Sequence, residues 1–142
     1  MDKYSLKSLG LTFSLCLMVV GCTGNNSASH NEEAYLEMDL TELQGELSAE
    51  DPETIALNLF ALSEPLEGNF SQEIEVIEQE GFKRTLLLTQ TNLPDDSIQG
   101  KRYQLKFEFD QSTGQWNLVK AGSQQSCSRG EHSGHWTVET CP

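Results

Sequence analysis

The residues that could hold a metal ion are concentrated near the carboxy terminus. His132 and His135 have the spacing His-x-x-His, and Glu139 follows them closely. Imidazole and carboxylate groups are ligands that zinc and copper accept. The stretch has no helical or strand periodicity that would fix these side chains, so the spacing is not diagnostic. We predict no metal or other cofactor, with His132 and His135 as the residues to test as ligands.

Catalytic patterns are missing from the sequence. No serine lies in a Gly-x-Ser-x-Gly elbow, and no glycine-rich phosphate loop follows a strand-like run. Asp95 and Asp96 lack the spacing of a calcium loop. We therefore predict that the chain is not an enzyme.

A candidate binding surface comes from one alternating segment, residues 101–109. Its even positions include Arg102 and Lys106, and its odd positions from Tyr103 to Phe109 are aromatic or aliphatic. Residues of opposite parity lie on opposite faces of a strand. Arg102 and Lys106 then lie on one face, which is either an anion-binding or docking surface or an ordinary solvated surface. Lys83, Arg84 and Lys120 join this face if the strand register allows. The loop that contains Trp136 is the second candidate surface.

The helix and strands that position these residues are predicted from the spacing of apolar residues, which changes from helical to alternating along the chain. Asp51, Pro52 and Glu53 form a good amino-terminal cap for a helix over residues 51–62. Alternating runs that predict strands follow it, at residues 71–78, 82–91, 101–109 and 115–121. The predicted fold is α+β, with one helix packed on the apolar face of a four-stranded antiparallel meander sheet.

The preceding stretch, residues 34–50, is ambiguous. Its leucines recur at the spacing of one helical face, at Leu36, Leu40, Leu43 and Leu47. Gly45 weakens a helix, and the charges are all acidic. Both a packed helix and a segment that orders only on contact remain open.

The amino terminus has the three parts of a secretory signal peptide. Lysines come first, an uncharged apolar run follows, and a small residue, Gly21, precedes Cys22. The run is shorter than the ~20 residues that span a bilayer. Residues 19–22, Val-Val-Gly-Cys, resemble the lipobox of bacterial lipoproteins. The resemblance implies cleavage between Gly21 and Cys22 and acyl chains on Cys22.

Export also bears on the remaining cysteines. Cys16 is removed with the signal peptide, and two cysteines in an exported domain favour one disulfide, Cys127–Cys141. Thr23 in place of aspartate resembles the lipoproteins of the outer membrane. We expect an envelope protein that faces the periplasm, with the outer membrane favoured over the inner.

The charge distribution excludes some partners. The chain has 9 Lys and Arg against 22 Asp and Glu, for a net charge of −13, and residues 22–82 contain no Lys or Arg. This argues against nucleic acid as a partner and against electrostatic binding to anionic lipid. The domains predicted are the signal peptide 1–21, an acidic tether 22–50 that could be partly helical, and a globular domain 51–142. The acidic arm is either solvated or docks on a basic sheet face.

The exported half also resembles a group of small exported cyanobacterial proteins. The shared features are Asp51-Pro52 before a helix, the loop 95–103, a strand with Trp116, and a Cys127…Trp136…Cys141 ending. This chain has Gly130-Glu131-His132 where the group has Gly-Arg-Gly-His. The resemblance implies fold and export, and it assigns no activity.

Together these features predict a non-catalytic, lipid-anchored module that binds another envelope component. Arg102, Lys106 and Trp136 are the candidate binding residues. A small-ligand or metal-binding periplasmic domain is the alternative, with its site in the helix–sheet crevice or in the His132/His135 loop. A third hypothesis is a spacer whose acidic arm only sets distance.

Overall fold

A computed structural model describes residues 34–62 and 68–142. The predicted signal peptide and lipid site at Gly21 and Cys22 lie outside the described residues. Within these residues, one α-helix, a single turn of 3-10 helix and seven strands follow one another. In order they are β1 (Leu36–Met38), the 3-10 turn (Leu40–Glu42), β2 (Ser48–Ala49), α1 (Pro52–Phe60), β3 (Ser71–Glu80), β4 (Lys83–Thr91), β5 (Ile98–Asp110), β6 (Gln115–Cys127) and β7 (Trp136–Thr137).

The strands form one antiparallel sheet in the order β1-β6-β5-β4-β3, and β2 and β7 also pair with β6. The four long strands are neighbours in chain order, so an antiparallel sheet with one helix is confirmed. The predicted number of four strands is wrong, because the described residues form a sheet of seven. The three additional strands are short and lie in succession along the outer edge of β6.

Helix α1 begins where its cap residues predict. The Asp51 carboxylate accepts a hydrogen bond from the backbone N–H of Thr54 at 3.0 Å, and Pro52 is the first helical residue. A side-chain cap of this kind stabilises a helix by about 1 kcal/mol. The predicted helix over residues 51–62 is therefore confirmed, with its end at Phe60.

The core lies between α1 and one face of the sheet. Ile55 and Ala56 of the helix are buried against apolar side chains of the three central strands, and this buried cluster is completed by Leu86, Leu88, Leu105, Phe107, Leu118 and Ala121. Burial of each large apolar side chain stabilises the fold by roughly 1.5–3 kcal/mol. Because these helix residues pack into the core, the helix–sheet crevice is occupied by side chains.

Residues 34–50 adopt neither a helix nor a free arm. Three of the regularly spaced leucines, Leu40, Leu43 and Leu47, pack on the core, whereas Leu36 is 60% exposed. β1 and β2 obtain their backbone hydrogen bonds from the edge of β6, and this pairing replaces the hydrogen bonds of a helix. The helical option for this stretch is wrong beyond the one turn at Leu40–Glu42.

Candidate interaction surface

The side of the sheet opposite α1 carries the charged residues of β5 and β6. In the register of these strands, Arg102 is paired with Gln124, Gln104 with Gly122, and Lys106 with Lys120. Alternation places all six on the side away from the buried Leu105 and Phe107. We call the surface formed by these six residues the outer face. The predicted grouping of Arg102, Lys106 and Lys120 on one face agrees with this arrangement.

Two lysines, Lys106 and Lys120, lie directly opposite each other at the end of the outer face that is farther from Arg102. Residues in such cross-strand pairs have Cβ atoms roughly 5 Å apart, and like charges there are destabilising. Lys120 Nζ lies 3.3 Å from Glu37 Oε2 of β1. Lys106 forms no ion pair or hydrogen bond with any residue in the described part of the chain. One carboxylate therefore faces two ammonium groups, which leaves a local excess of positive charge.

A shallow cavity of about 250 Å³ lies beside the lysine pair. Tyr35 and Glu37 form one wall, and Gln104 lies across from them. The remaining lining residues are Ala34, Lys106, Lys120 and Gly122. A Cβ atom at Gly122 would lie 2.8 Å from the Tyr35 Cβ, so a side chain there would displace β1. Glycine at this position lets the acidic segment reach the sheet, and Glu37 does dock on a basic residue of it.

Arg102 is held by its neighbours at one end of the outer face. Its guanidinium carbon lies 4.7 Å from the ring centre of Trp136 and 5.6 Å from that of Tyr35. Its Nε donates a hydrogen bond to Gln124 Oε1 at 2.6 Å, and Gln124 Nε2 donates to the Ala34 carbonyl at 2.6 Å. Cation–π contacts of this kind contribute about 0.5–2 kcal/mol each. Arg102 therefore joins three separate chain segments, whereas Lys106 has no such contacts.

The C-terminal segment is attached to this end of the sheet. Cys127 and Cys141 form a disulfide with their Cα atoms 5.4 Å apart, which confirms the predicted pairing. β7 pairs with β6 and places the Trp136 ring over Gly100, where a Cβ would lie 3.1 Å from Trp136 Cη2. Trp136 is thus fixed on the sheet next to Arg102. These two predicted residues are in contact, and Lys106 lies farther along the same strand.

The histidine loop lacks the geometry of a metal site. Within residues 34–62 and 68–142 no group of three or more His, Cys, Asp or Glu side chains is arranged to hold a metal ion. The backbone N–H of His135 donates to the His132 carbonyl at 3.1 Å, which forms a tight turn. Both neighbouring cysteines are used by the disulfide.

A second cavity, of about 430 Å³, extends the outer face toward the β3–β4 hairpin. Lys106 and Lys120 line both cavities, so the two adjoin at the lysine pair. Lys83 borders the second cavity, where its Nζ lies 3.5 Å from Glu108 Oε1. Arg84 does not belong to the basic face, because its guanidinium lies 4.7 Å above the Trp116 ring on the core side.

Several residues of the surface were not predicted. Tyr35 and Glu37 lie in the segment that was interpreted as a tether, and Gln124 lies beyond the predicted end of the last strand at residue 121. Gly122, next to that end, was also missed. The sequence contained one indication of the Glu37 contact, because docking of the acidic arm on a basic sheet face was one of its two alternatives. The tyrosine contact has no sequence signature, because it joins segments far apart in the chain.

No protein family, curated protein or solved structure matches this chain. None of the helices in residues 34–62 and 68–142 has the length and apolar character needed to cross a bilayer. Functional inference therefore depends on the residues of the outer face and on the sequence of the amino terminus.

Proposed function

We propose that this chain is a lipid-anchored protein of the bacterial cell envelope that binds an acidic segment of another envelope component and catalyses no reaction. The lipid anchor is inferred from the lipobox-like residues 19–22. Acyl chains on Cys22 would hold the protein at the membrane, since two or more chains anchor firmly and one does not. The domain would face the periplasm, and Thr23 favours the outer membrane.

The observation that supports the binding role is the lysine pair of the outer face. Lys106 and Lys120 lie directly opposite each other in a chain with a net charge of −13. A sheet that places two cations side by side loses stability unless an anion lies between them. Glu37 supplies one carboxylate, and that ion pair is exposed, so it stabilises the fold by no more than about 1 kcal/mol. A partner carboxylate would complete the site.

The polar and charged lining of the cavity beside Lys106 favours an acidic side chain over a drug-sized apolar ligand. Sites for drug-sized ligands typically have volumes of roughly 300–1,000 Å³ and are mostly apolar. The cavity beside Lys106 measures about 250 Å³ and is lined by polar and charged residues. It accommodates a single acidic group, such as one Glu or Asp of a macromolecular partner. The second cavity, which adjoins it at the lysine pair, provides contact area for the flanking residues of that partner.

Charge reversal at Lys106 tests this proposal. The Lys106→Glu variant leaves the contacts of Arg102 in place and puts a carboxylate opposite Lys120, where the carboxylate of the partner would otherwise lie. We expect capture of the native partner from envelope extracts to fall by about ten-fold, which corresponds to ~1.4 kcal/mol. The matched control is Lys101→Glu, which changes the charge equally on the same strand, where Lys101 pairs with Gln90 on the opposite side of the sheet.

The control variant should retain capture, and both variants should unfold within ~0.5 kcal/mol of the wild type, as surface substitutions usually do. Capture should also weaken with rising salt, because the contact is between exposed charges. Equal capture by the two variants would refute the role of the outer face and favour the spacer hypothesis.

A further inference from the structure

β3 is an edge strand of the sheet in the part of the chain that the structure describes. β3 lies at the end of the sheet, and in the described part of the chain no strand pairs with its far side. The opposite edge of the sheet, on β6, is covered by β1, β2 and β7. An edge strand of ten residues leaves about half of its backbone N–H and C=O groups directed outward. Such an edge can accept another strand.

The first six residues of β3 have a regular geometry and a distinct chemical pattern. Residues 71–76 pair without interruption with residues 86–91 of β4, and the register shifts only after Val76. Glu73 and Glu75 lie on the same side of the sheet as the outer face. Ile74 and Val76 lie on the core side, where Ile74 packs on the core and Val76 is 47% exposed. Apolar side chains at the rim of the core are therefore partly exposed along this edge, although Leu86 and Leu88 behind them are fully buried.

We propose that residues 71–76 are a strand-addition site for an extended segment of a partner protein in which basic and apolar residues alternate. Its basic side chains would lie beside Glu73 and Glu75, because neighbours across strands share a face. Its apolar side chains would lie beside Ile74 and Val76 and would extend the core. Backbone hydrogen bonds would supply affinity, and the alternating pattern would supply specificity.

A second copy of this chain is a poor occupant of the edge. If two β3 strands paired, the glutamates of both would be neighbours on one face, where like charges repel. Charges and bulges also protect edges against unwanted pairing. Here the bulge lies beyond Val76 and leaves residues 71–76 regular. Val76 and Ile77 are each 47% exposed, and an edge that served only to prevent pairing would not need exposed apolar side chains.

Amide hydrogen exchange of the full chain with a model peptide tests the inference. The probe is the capped peptide Lys-Val-Lys-Val-Lys-Val, and the control peptide has the same sequence with methylated amide nitrogens, which keeps the charge and removes the backbone donors. We expect the first peptide at millimolar concentration to slow exchange at residues 71–76, and the methylated peptide to have no effect.

Charge reversal of the edge provides the second arm. The Glu73→Lys/Glu75→Lys variant should bind the peptide about ten-fold more weakly than the Glu46→Lys/Glu50→Lys control, which changes the net charge equally at exposed positions away from the edge. Lys106→Glu should bind the peptide as the wild type does, so this test is independent of the outer face.

Three results would overturn the inference. They are the absence of peptide-dependent protection at residues 71–76, equal affinity of the two double variants, and protection of residues 71–76 in the peptide-free chain that rises with protein concentration, which would make a second copy the occupant of the edge.

Discussion

Replacing Arg102 with methionine separates structural from binding roles within the outer face. The substitution keeps an unbranched apolar side chain and removes the guanidinium, with its contacts to Trp136 and Tyr35 and its hydrogen bond to Gln124. The two ring contacts are worth about 0.5–1 kcal/mol each where they are partly exposed. Gln124 is only 6% exposed, so leaving its amide oxygen without a donor costs a further ~1–3 kcal/mol.

The sum predicts that Arg102→Met lowers the free energy of unfolding by about 2–5 kcal/mol. In a domain of this size the melting temperature should fall by on the order of 10 °C. Lys106→Met is the matched control, with the same replacement on the same face of the same strand. Because Lys106 makes no comparable contact, its variant should remain within ~0.5 kcal/mol of the wild type.

Urea denaturation followed by tryptophan fluorescence measures both variants. A double-mutant cycle of Arg102→Met with Trp136→Ala should give a coupling energy of about 1 kcal/mol. If the two methionine variants were equally stable, or if the coupling were zero, the distinction between a structural Arg102 and a binding Lys106 would be refuted.

Two further predictions concern the disulfide and pH. Replacing Cys127 and Cys141 with alanine should destabilise the domain by on the order of 3 kcal/mol, as the chain-entropy relation gives for a sequence separation of 14, and thermal unfolding measures the loss. Hydrogen bonds from the backbone N–H groups of Ile98 and Ser97 lower the pKa of Asp95. The stability that Asp95 contributes is therefore complete above its unfolded pKa, near 4, and is lost as pH falls through the lower folded value. Asp95→Asn, which keeps an acceptor oxygen, should make the urea midpoint less sensitive to pH below 4, and an unchanged acid dependence would contradict this assignment.

Local signals in the sequence were sufficient to predict the helix and the four long strands. Asp51 accepts a hydrogen bond from the first turn of α1, and Pro52 suits the first helical position, so both specify the start of the helix without distant contacts. In β5, strict alternation separates Leu105 and Phe107 from Arg102 and Lys106, so each face could be assigned. These features depend on neighbours in the chain, and for that reason they are visible without a structure.

The short strands could not be predicted, because they exist only through the edge of β6. β1 and β2 have two or three residues each, and the leucine spacing from Leu36 to Leu47 imitates a helix. In β4 the run of three leucines from Leu86 hides which face is buried, so Arg84 could not be placed. In the structure Leu86 and Leu88 are buried, so the even-numbered residues of β4 face the core. Arg84 is one of them and therefore lies on the core side.

The different roles of Arg102 and Lys106 were also hidden. Both are cations on one face of one strand, and the sequence treats them alike. The distinction comes from Tyr35, which β1 brings to Arg102, and from Trp136, which the disulfide-linked segment holds there. These aromatic contacts are long-range in the chain, and only the folded arrangement of β1, β6 and β7 creates them.

Photo-cross-linking in the native envelope tests the central claim most directly. A photoreactive amino acid in place of Gln104 lies within the cavity beside Lys106, and one in place of Lys101 lies on the same strand on the other side of the sheet. Position 104 should trap one envelope component through an acidic stretch of its sequence, and Lys106→Glu should abolish that product. Identical products from both positions, or a product from position 104 that persists in the Lys106→Glu variant, would contradict the claim that the outer face binds an acidic partner.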